Sequence, residues 1–255
     1  KWNLLSNRFS AWVHNLFEKM ILKLPFDKYI AVSHSTARQL SKVVKRDVEV
    51  VYNGLDYNFW NPRSVKKSVK LGLNGSFVGI FYGRPGMSKG LEVLVRAMPA
   101  ILDMVPSFRL VALVSQDKAY HKRAEFVRGL ARKLKVDREI TFMNPVSMNE
   151  LPPYILAADL VIVPSLSEGF GFAVAEACAL GKVVVASDVD SIPEVVSGKW
   201  LLFEPGNASM LVIAVADAYH GRYKRTKLKK FMLSDNIQNY LKLYGRVLGN
   251  EHKDN

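Results

Sequence analysis

Along this chain, short runs dominated by apolar residues alternate with longer stretches in which apolar positions recur every three or four residues. The short runs fall at 29–32 (Tyr-Ile-Ala-Val), 48–52, 76–82, 108–114, 140–143, 160–163 (Leu-Val-Ile-Val), 183–186 (Val-Val-Val-Ala) and 201–203. Continuous apolar character of this length suits strands covered on both faces. The intervening stretches predict helices at 91–105, 120–134, 210–219 and 231–248. A further helix opens at 33–40 with a Thr36-x-x-Gln39 capping box, and a small-residue helix after Gly171 should stop at Gly181. Asn53-Gly54 reads as a turn. Repeated strand–helix alternation predicts an α/β fold with a doubly wound parallel sheet. At the N-terminus, Trp2, Leu5, Phe9, Trp12, Leu16, Met20 and Leu24 recur at helical spacing with Arg8, Lys19 and Lys23 among them. That pattern fits a helix packed on a domain core, or a basic amphipathic helix at a membrane surface.

Composition narrows this picture only in part. The 255 residues are 49% hydrophobic and 23% charged, enough for one large domain or two small ones. No run is long and apolar enough to span a bilayer, and the first residues carry no signal-peptide pattern. The single cysteine, Cys178, excludes an internal disulfide framework, fits a reducing compartment and reads as a small buried hydrophobe. A net charge of +13 asks for an anionic partner. The cations are densest at 63–70, 118–138 and 222–230, and no nucleic-acid module accompanies them, so an anionic membrane surface fits better than sequence-specific DNA or RNA. His14, His34, His121, His220 and His252 show no metal spacing, and His34, near a strand end, reads as a hydrogen-bonded loop residue.

Candidate chemistry gathers in loops expected after strands, where ligands of open parallel sheets bind. Residues 164–177 read Pro-Ser-Leu-Ser-Glu-Gly-Phe-Gly-Phe-Ala-Val-Ala-Glu-Ala. Gly169 and Gly171 flank a helix start, whose N–H groups and dipole suit phosphate or sugar oxygens. Glu168 and Glu176 bracket them, and carboxylates accept hydrogen bonds from neighbouring hydroxyls, as a polyol presents. By spacing alone the two fit equally well a helix-dipole partner and an ordinary exposed residue. The second loop, residues 83–90, reads Gly-Arg-Pro-Gly-Met-Ser-Lys-Gly, with Arg84 and Lys89 as two cations beyond a strand. It is not a Walker loop, because no Gly-Lys-Ser/Thr follows at the required distance. Asp188-x-Asp190 has the form of a metal-binding motif, but it is short and stands alone.

The stretch at 164–177 resembles the Glu-x7-Glu signature of the retaining, GT-B-fold glycosyltransferases of family 4: Pro-Ser, two variable residues, Glu-Gly-Phe-Gly, four variable residues, Glu-Ala. Every fixed position is matched. The Gly-Arg and Lys-Gly of the second loop match that family in the expected order, as do Ala-Val-Ser at 31–33 and Asn53-Gly54-Leu55-Asp56. The resemblance implies that Glu168 lies by the donor sugar, that Glu176 holds the ribose, and that Arg84 and Lys89 bind the diphosphate. It further implies donor contacts from Gly83, Gly169, Phe170, Gly171, Phe172, Met143 and Asn144. It implies residues 1–61 as the end of an acceptor-side domain, 62–75 as a linker, 76–230 as the nucleotide-sugar domain and 231–255 as a crossover helix packed through Tyr240 and Tyr244. The chain starts at Lys1, so the earlier part of the acceptor-side domain is expected upstream.

The chain departs from that family in three places. The loops after the strands at 108–114 and 140–143, Ser115-Gln-Asp117 and Asn144-Pro-Val146, lack the family's glycines, leaving the base open. Asp190 and Ser191 stand where the family usually has two glycines, so loop geometry is expected to differ. The function implied is transfer of a hexose from a nucleotide diphosphate sugar to a glycan or lipid-linked acceptor, without metal or other cofactor, in the cytoplasm or at the inner membrane face. Two other classes stay open: a phosphorylase or hydrolytic relative using the same donor cleft, and a nucleotide-sugar-binding module without activity of its own. Nucleic-acid binding ranks last.

Overall fold

The computed structural model describes residues 8–66, 68–115 and 118–251 and divides into two compact units, residues 58–229 and a second formed by 1–57 with 230–255. The larger unit is built on the strands β3 (Phe77–Gly83), β4 (Phe108–Val114), β5 (Ile140–Met143), β6 (Leu160–Val163), β7 (Val183–Ser187), β8 (Lys199–Phe203) and β9 (Lys224–Arg225). Their order is β5-β4-β3-β6-β7-β8-β9, parallel throughout except for β9, which pairs antiparallel with β8 at the edge. Parallel neighbours need crossovers, and the chain supplies α3 (Leu91–Met104), α4 (Lys118–Lys133), α5 (Leu151–Ala157), α6 (Phe172–Ala179), α7 (Ile192–Val195) and α8 (Ala208–Tyr219).

Both sheet faces are buried, which is why the strands read as apolar runs. Phe81, Phe108, Leu110, Ala112, Leu160, Ile162, Val185 and Phe203 alternate along their strands and join Leu94, Met98, Ile101, Val127, Leu211 and Val215 of α3, α4 and α8 in one core. The intervening positions, among them Ile80, Val111, Val161 and Val184, are equally buried on the opposite face, where Val161 and Val163 line a small cavity together with Ala173 of α6. The expected α/β, doubly wound sheet is therefore the one found. Each of the fully buried large side chains contributes about 1.5–3 kcal/mol to folding.

In the smaller unit, β1 (Tyr29–Ala31) pairs parallel with β2 (Val48–Val50), and α1 (Arg8–Ile21), α2 (His34–Val44) and α9 (Leu233–Glu251) accompany them. The expectations for Trp2 and Leu5 lie outside the described residues. Trp12, Leu16, Phe17 and Met20 of α1 are exposed. The capping expectation at Thr36 and Gln39 is corrected: Ser33 is the N-cap of α2, its hydroxyl accepting from the Thr36 N–H at 3.1 Å. At α9, Leu243 is buried and Tyr240 half-buried, whereas Tyr244 is exposed and lies against Tyr240 with ring centroids 6.3 Å apart.

Gly54 also differs from its reading as a turn residue. A Cβ there would lie 2.5 Å from the Cα of Leu233, where α9 begins. Backbone bonds join the same segments: Leu55 N–H to Phe231 O at 2.7 Å and Leu233 N–H to Leu55 O at 3.2 Å. The side-chain amide of Asn236 adds a bond to Tyr52 O at 2.6 Å. Glycine at 54 is thus a matter of close approach by residues far along the chain. Gly54→Ala is expected to push the start of α9 outward at a cost of about 1–3 kcal/mol, visible as a lowered urea midpoint; an unchanged midpoint would mean that this approach is slack.

Candidate functional site

Strand order reverses between β3 and β6: the chain winds from β3 through β4 to β5 on one side and from β6 through β7 to β8 on the other. Loops leaving the carboxyl ends of β3 and β6 therefore diverge and open a crevice. The loop after β3 carries Arg84 and a short 3-10 turn, Met87–Lys89. The loop after β6 carries Ser165 to Gly171, and α6 follows. The two loops are tied by backbone: the N–H groups of Leu166 and Ser167 both donate to Ser88 O, at 2.7 and 3.3 Å. At Gly90, with φ of +65°, a Cβ would stand 1.8 Å from Pro164 O.

This crossing brings together most of the residues singled out in the sequence. Lys89 Nζ donates to Glu168 Oε2 at 2.6 Å, and Ser165 Oγ reaches the same oxygen at 3.4 Å. Lys89 is thus held in an ion pair, with Glu168 the more buried partner. Glu176, in α6, is 8% exposed. Burial pushes its carboxyl up to about 7, against the opposite influence of the Tyr82 hydroxyl and the Lys89 ammonium. Lys89 is therefore the cation shared by both carboxylates. Tyr82, at the end of β3, directs its hydroxyl proton to Ala173 O at 2.9 Å. Turned to Glu176, the same proton would favour the carboxylate. Burial, and then the charge of Glu176, raise the Tyr82 hydroxyl well above its ordinary value.

Gly171, with φ of +98°, is the N-cap of α6, and its carbonyl accepts from Val174 and Ala175, both at 3.0 Å. Phe172 and Ala173 follow, their N–H groups having no helix carbonyl ahead of them. Phe170 is buried and Phe172 45% exposed, the two rings meeting edge to face at 5.1 Å. Gly169 is exposed in the loop between Glu168 and Phe170. Cys178, on the same helix, is buried, which pushes its thiol up to about 11.

Beside this cluster, a cavity of about 360 Å³ lies over the ends of β3, β4 and β5. Tyr82, Gly83, Arg84, Leu113, Ser115, Pro145, Val146 and Leu151 line it. Its size and apolar walls suit a planar organic group. Arg84 is exposed at its rim, with Nη1 3.5 Å from the Tyr120 hydroxyl. Met143, half-buried, and Asn144, exposed, stand just before the lining residues Pro145 and Val146 rather than in the lining. Gln116 and Asp117 of the neighbouring loop lie outside the described residues.

Sequence reasoning missed three participants. Tyr82 was legible only as the polar end of an apolar strand. Leu151 belongs to α5, whose Pro152-Pro153 start hides the helical pattern although proline is at home in a first turn. Asp190 had the form of a metal ligand, but its Oδ2 accepts from the Glu168 N–H and the Ser167 hydroxyl, both at 2.9 Å. Among the described residues, no group of three or more His, Cys, Asp or Glu is arranged to hold a metal ion, and no helix is long and apolar enough to cross a membrane.

A family profile described as glycosyl transferases group 1 matches residues 65–232, the segment that contains both loops and the cavity. The chain belongs to this family. Among individual relatives, D-inositol 3-phosphate glycosyltransferase of Mycobacterium leprae is 31% identical over 173 residues, 66% of this chain and 39% of the relative. The chain thus spans about two fifths of the length of that relative. Sucrose-phosphate synthase from Thermosynechococcus elongatus superimposes with a TM-score of 0.77 at 25% identity, covering 94% of this chain and 62% of that one. Anabaena HepE, solved with UDP-glucose, gives 0.73 at 19% identity, over 95% of this chain and 70% of its own. The fold of this group 1 member is of GT-B type.

The buried carboxyl of Glu176 predicts a pH signature in the ligand-free protein. Its folded value of about 7 lies above the 4.5 of an ordinary glutamate, so folding takes up a proton between those two values. Stability should therefore fall as pH rises from 4.5 to 7, by on the order of 3 kcal/mol. Urea unfolding across this range, compared with Glu176→Gln, checks it: the variant should lose that part of the slope, and an identical slope in both proteins would contradict the assignment.

Proposed function

We propose that this chain is the donor-binding part of a retaining glycosyltransferase of family 4, which moves a hexose from a nucleotide diphosphate sugar to a glycan or lipid-linked acceptor. The observation that carries the reading is the meeting at one strand-order reversal of two loop cations, two carboxylates, a helix start and an apolar cavity. In this reading the base enters the cavity over β3, β4 and β5. Glu176 accepts hydrogen bonds from the ribose hydroxyls, and Arg84, Lys89 and the first-turn N–H groups of α6 face the diphosphate. Glu168 lies by the sugar. Membership of group 1 and the complexes of Anabaena HepE with UDP and with UDP-glucose support the choice of donor class.

The chemistry asked of these residues is electrostatic. Departure of a nucleoside diphosphate places negative charge on the leaving oxygens, and fixed cations and N–H dipoles in a shielded crevice stabilise it without reorganising. Arg grips phosphate oxygens with a planar fork, whereas Lys supplies a movable point charge. Lys89 is paired with Glu168 in the ligand-free protein, so an incoming diphosphate would draw it away and free Glu168 for the sugar hydroxyls. Glu168 is an orienting carboxylate in this scheme, and attack occurs on the face that the diphosphate leaves. The +13 charge supports an acidic acceptor or an anionic membrane surface on the cytoplasmic side.

Calorimetric titration with UDP, GDP and ADP tests the site. One of the three should bind, and Glu176→Ala and Arg84→Ala should each weaken it at least tenfold, since hydrogen bonds to charged groups contribute about 1.5–3 kcal/mol. Absence of binding by all three, or variants that bind as the parent does, would overturn the assignment.

A further inference from the structure

Resting on the donor-site reading above, we infer that Asp190, with Ser191, is a positioning residue that locks the Glu168 loop in the geometry needed to read the sugar of the donor. Asp190 follows β7 and has a left-handed backbone, φ 49°, a conformation that non-glycine residues seldom adopt. Something nearby must hold it there. Its Oδ2 accepts from the backbone N–H of Glu168 and from the hydroxyl of Ser167, both at 2.9 Å. Buried Ser191 donates its hydroxyl to Glu168 O at 3.2 Å. Both backbone polar groups of Glu168 are thereby engaged by side chains 22 and 23 residues further on.

From the other side of the crevice, Ser88 O accepts from Leu166 and Ser167, and Lys89 takes the Glu168 carboxylate. Glu168 is thus fixed at its amide, its carbonyl and its side chain by two different loops. The two restraints differ in kind. The Lys89 pair is one that an incoming diphosphate competes for, whereas the Asp190 and Ser191 bonds reach backbone groups that no ligand need displace. When Lys89 turns to the diphosphate, Asp190 and Ser191 keep the Glu168 backbone where it was, so that only the carboxylate becomes available. The carboxylate of the Asp-x-Asp motif acts as a loop clasp.

The test separates this role from general stabilisation and from the donor-site reading itself. Asp190→Gly removes the clasp while accommodating the backbone, and Asp190→Asn keeps an acceptor oxygen and tolerates the left-handed conformation. In the ligand-free protein, hydrogen exchange at the Glu168 amide should quicken at least tenfold in Asp190→Gly and remain slow in Asp190→Asn. Calorimetry is then run with the pairs UDP and UDP-glucose, GDP and GDP-mannose, ADP and ADP-glucose. Asp190→Gly should keep the parent affinity for the nucleoside diphosphate and lose at least fivefold of the added affinity brought by the sugar, with Asp190→Asn restoring it. Faster exchange with the sugar increment intact would overturn the positioning role alone, and equal loss of nucleotide and sugar affinity would reduce Asp190 to a stabilising residue. A parent protein that binds no nucleotide or nucleotide sugar would overturn the donor-site reading and this inference with it.

Discussion

The crevice depends on two backbones that pass closer than a side chain permits. Because Gly90 has no Cβ, the chain turning out of β3 can run against Pro164 as the other chain leaves β6. That approach lets Ser88 O accept from two successive amides and sets Lys89 beside Glu168. Strand order supplies the divergence, and this contact supplies the dimension: with the loops a side chain's width further apart, Lys89 could not stand within hydrogen-bond reach of Glu168. The polar features of the site are arranged on a steric fact.

Charge then follows from where that crossing lies. Glu176 lies in a stretch of α6 in which Val174, Ala175, Ala177 and Cys178 are all buried as well. An acidic residue in such company is kept by the groups that face it rather than by water. The partners are Tyr82 and Lys89, both from β3 and its loop. Glu168, nearer the mouth, has a direct ion pair and a serine hydroxyl instead. Two carboxylates eight positions apart in sequence therefore meet different surroundings, and the difference comes from depth in the crevice.

The sheet was legible because strands buried on both faces have to be apolar throughout, and β4 and β5 fall at the residues their patterns predict. The two loops were legible as well, since their Gly, Arg, Lys and Glu residues stand close together in sequence. What escaped was long-range. The Tyr82 bond to Ala173 joins residues 91 apart, and the value of Gly54 is set by Leu233. Periodicity and turn chemistry describe neighbours along the chain and carry no record of either. Asn53-Gly54 invited a turn because a residue without a side chain serves a bend and a tight crossing equally well. The Asp-x-Asp form, set aside as a metal motif, left the role of Asp190 unread, because a carboxylate that accepts two hydrogen bonds is the same chemical object as one that ligates a cation.

The lone cysteine gives the protein a built-in reporter. Cys178 lies on α6 two residues beyond Glu176, shielded from solvent and kept in the thiol form at neutral pH. A thiol-directed reagent has no other sulfhydryl to find in this sequence. Its reaction therefore waits on excursions in which α6 lifts from β6 and β7, and the rate of labelling counts those openings. The helix that begins at the crevice thus carries its own clock, readable without attaching any probe to the loops that line it.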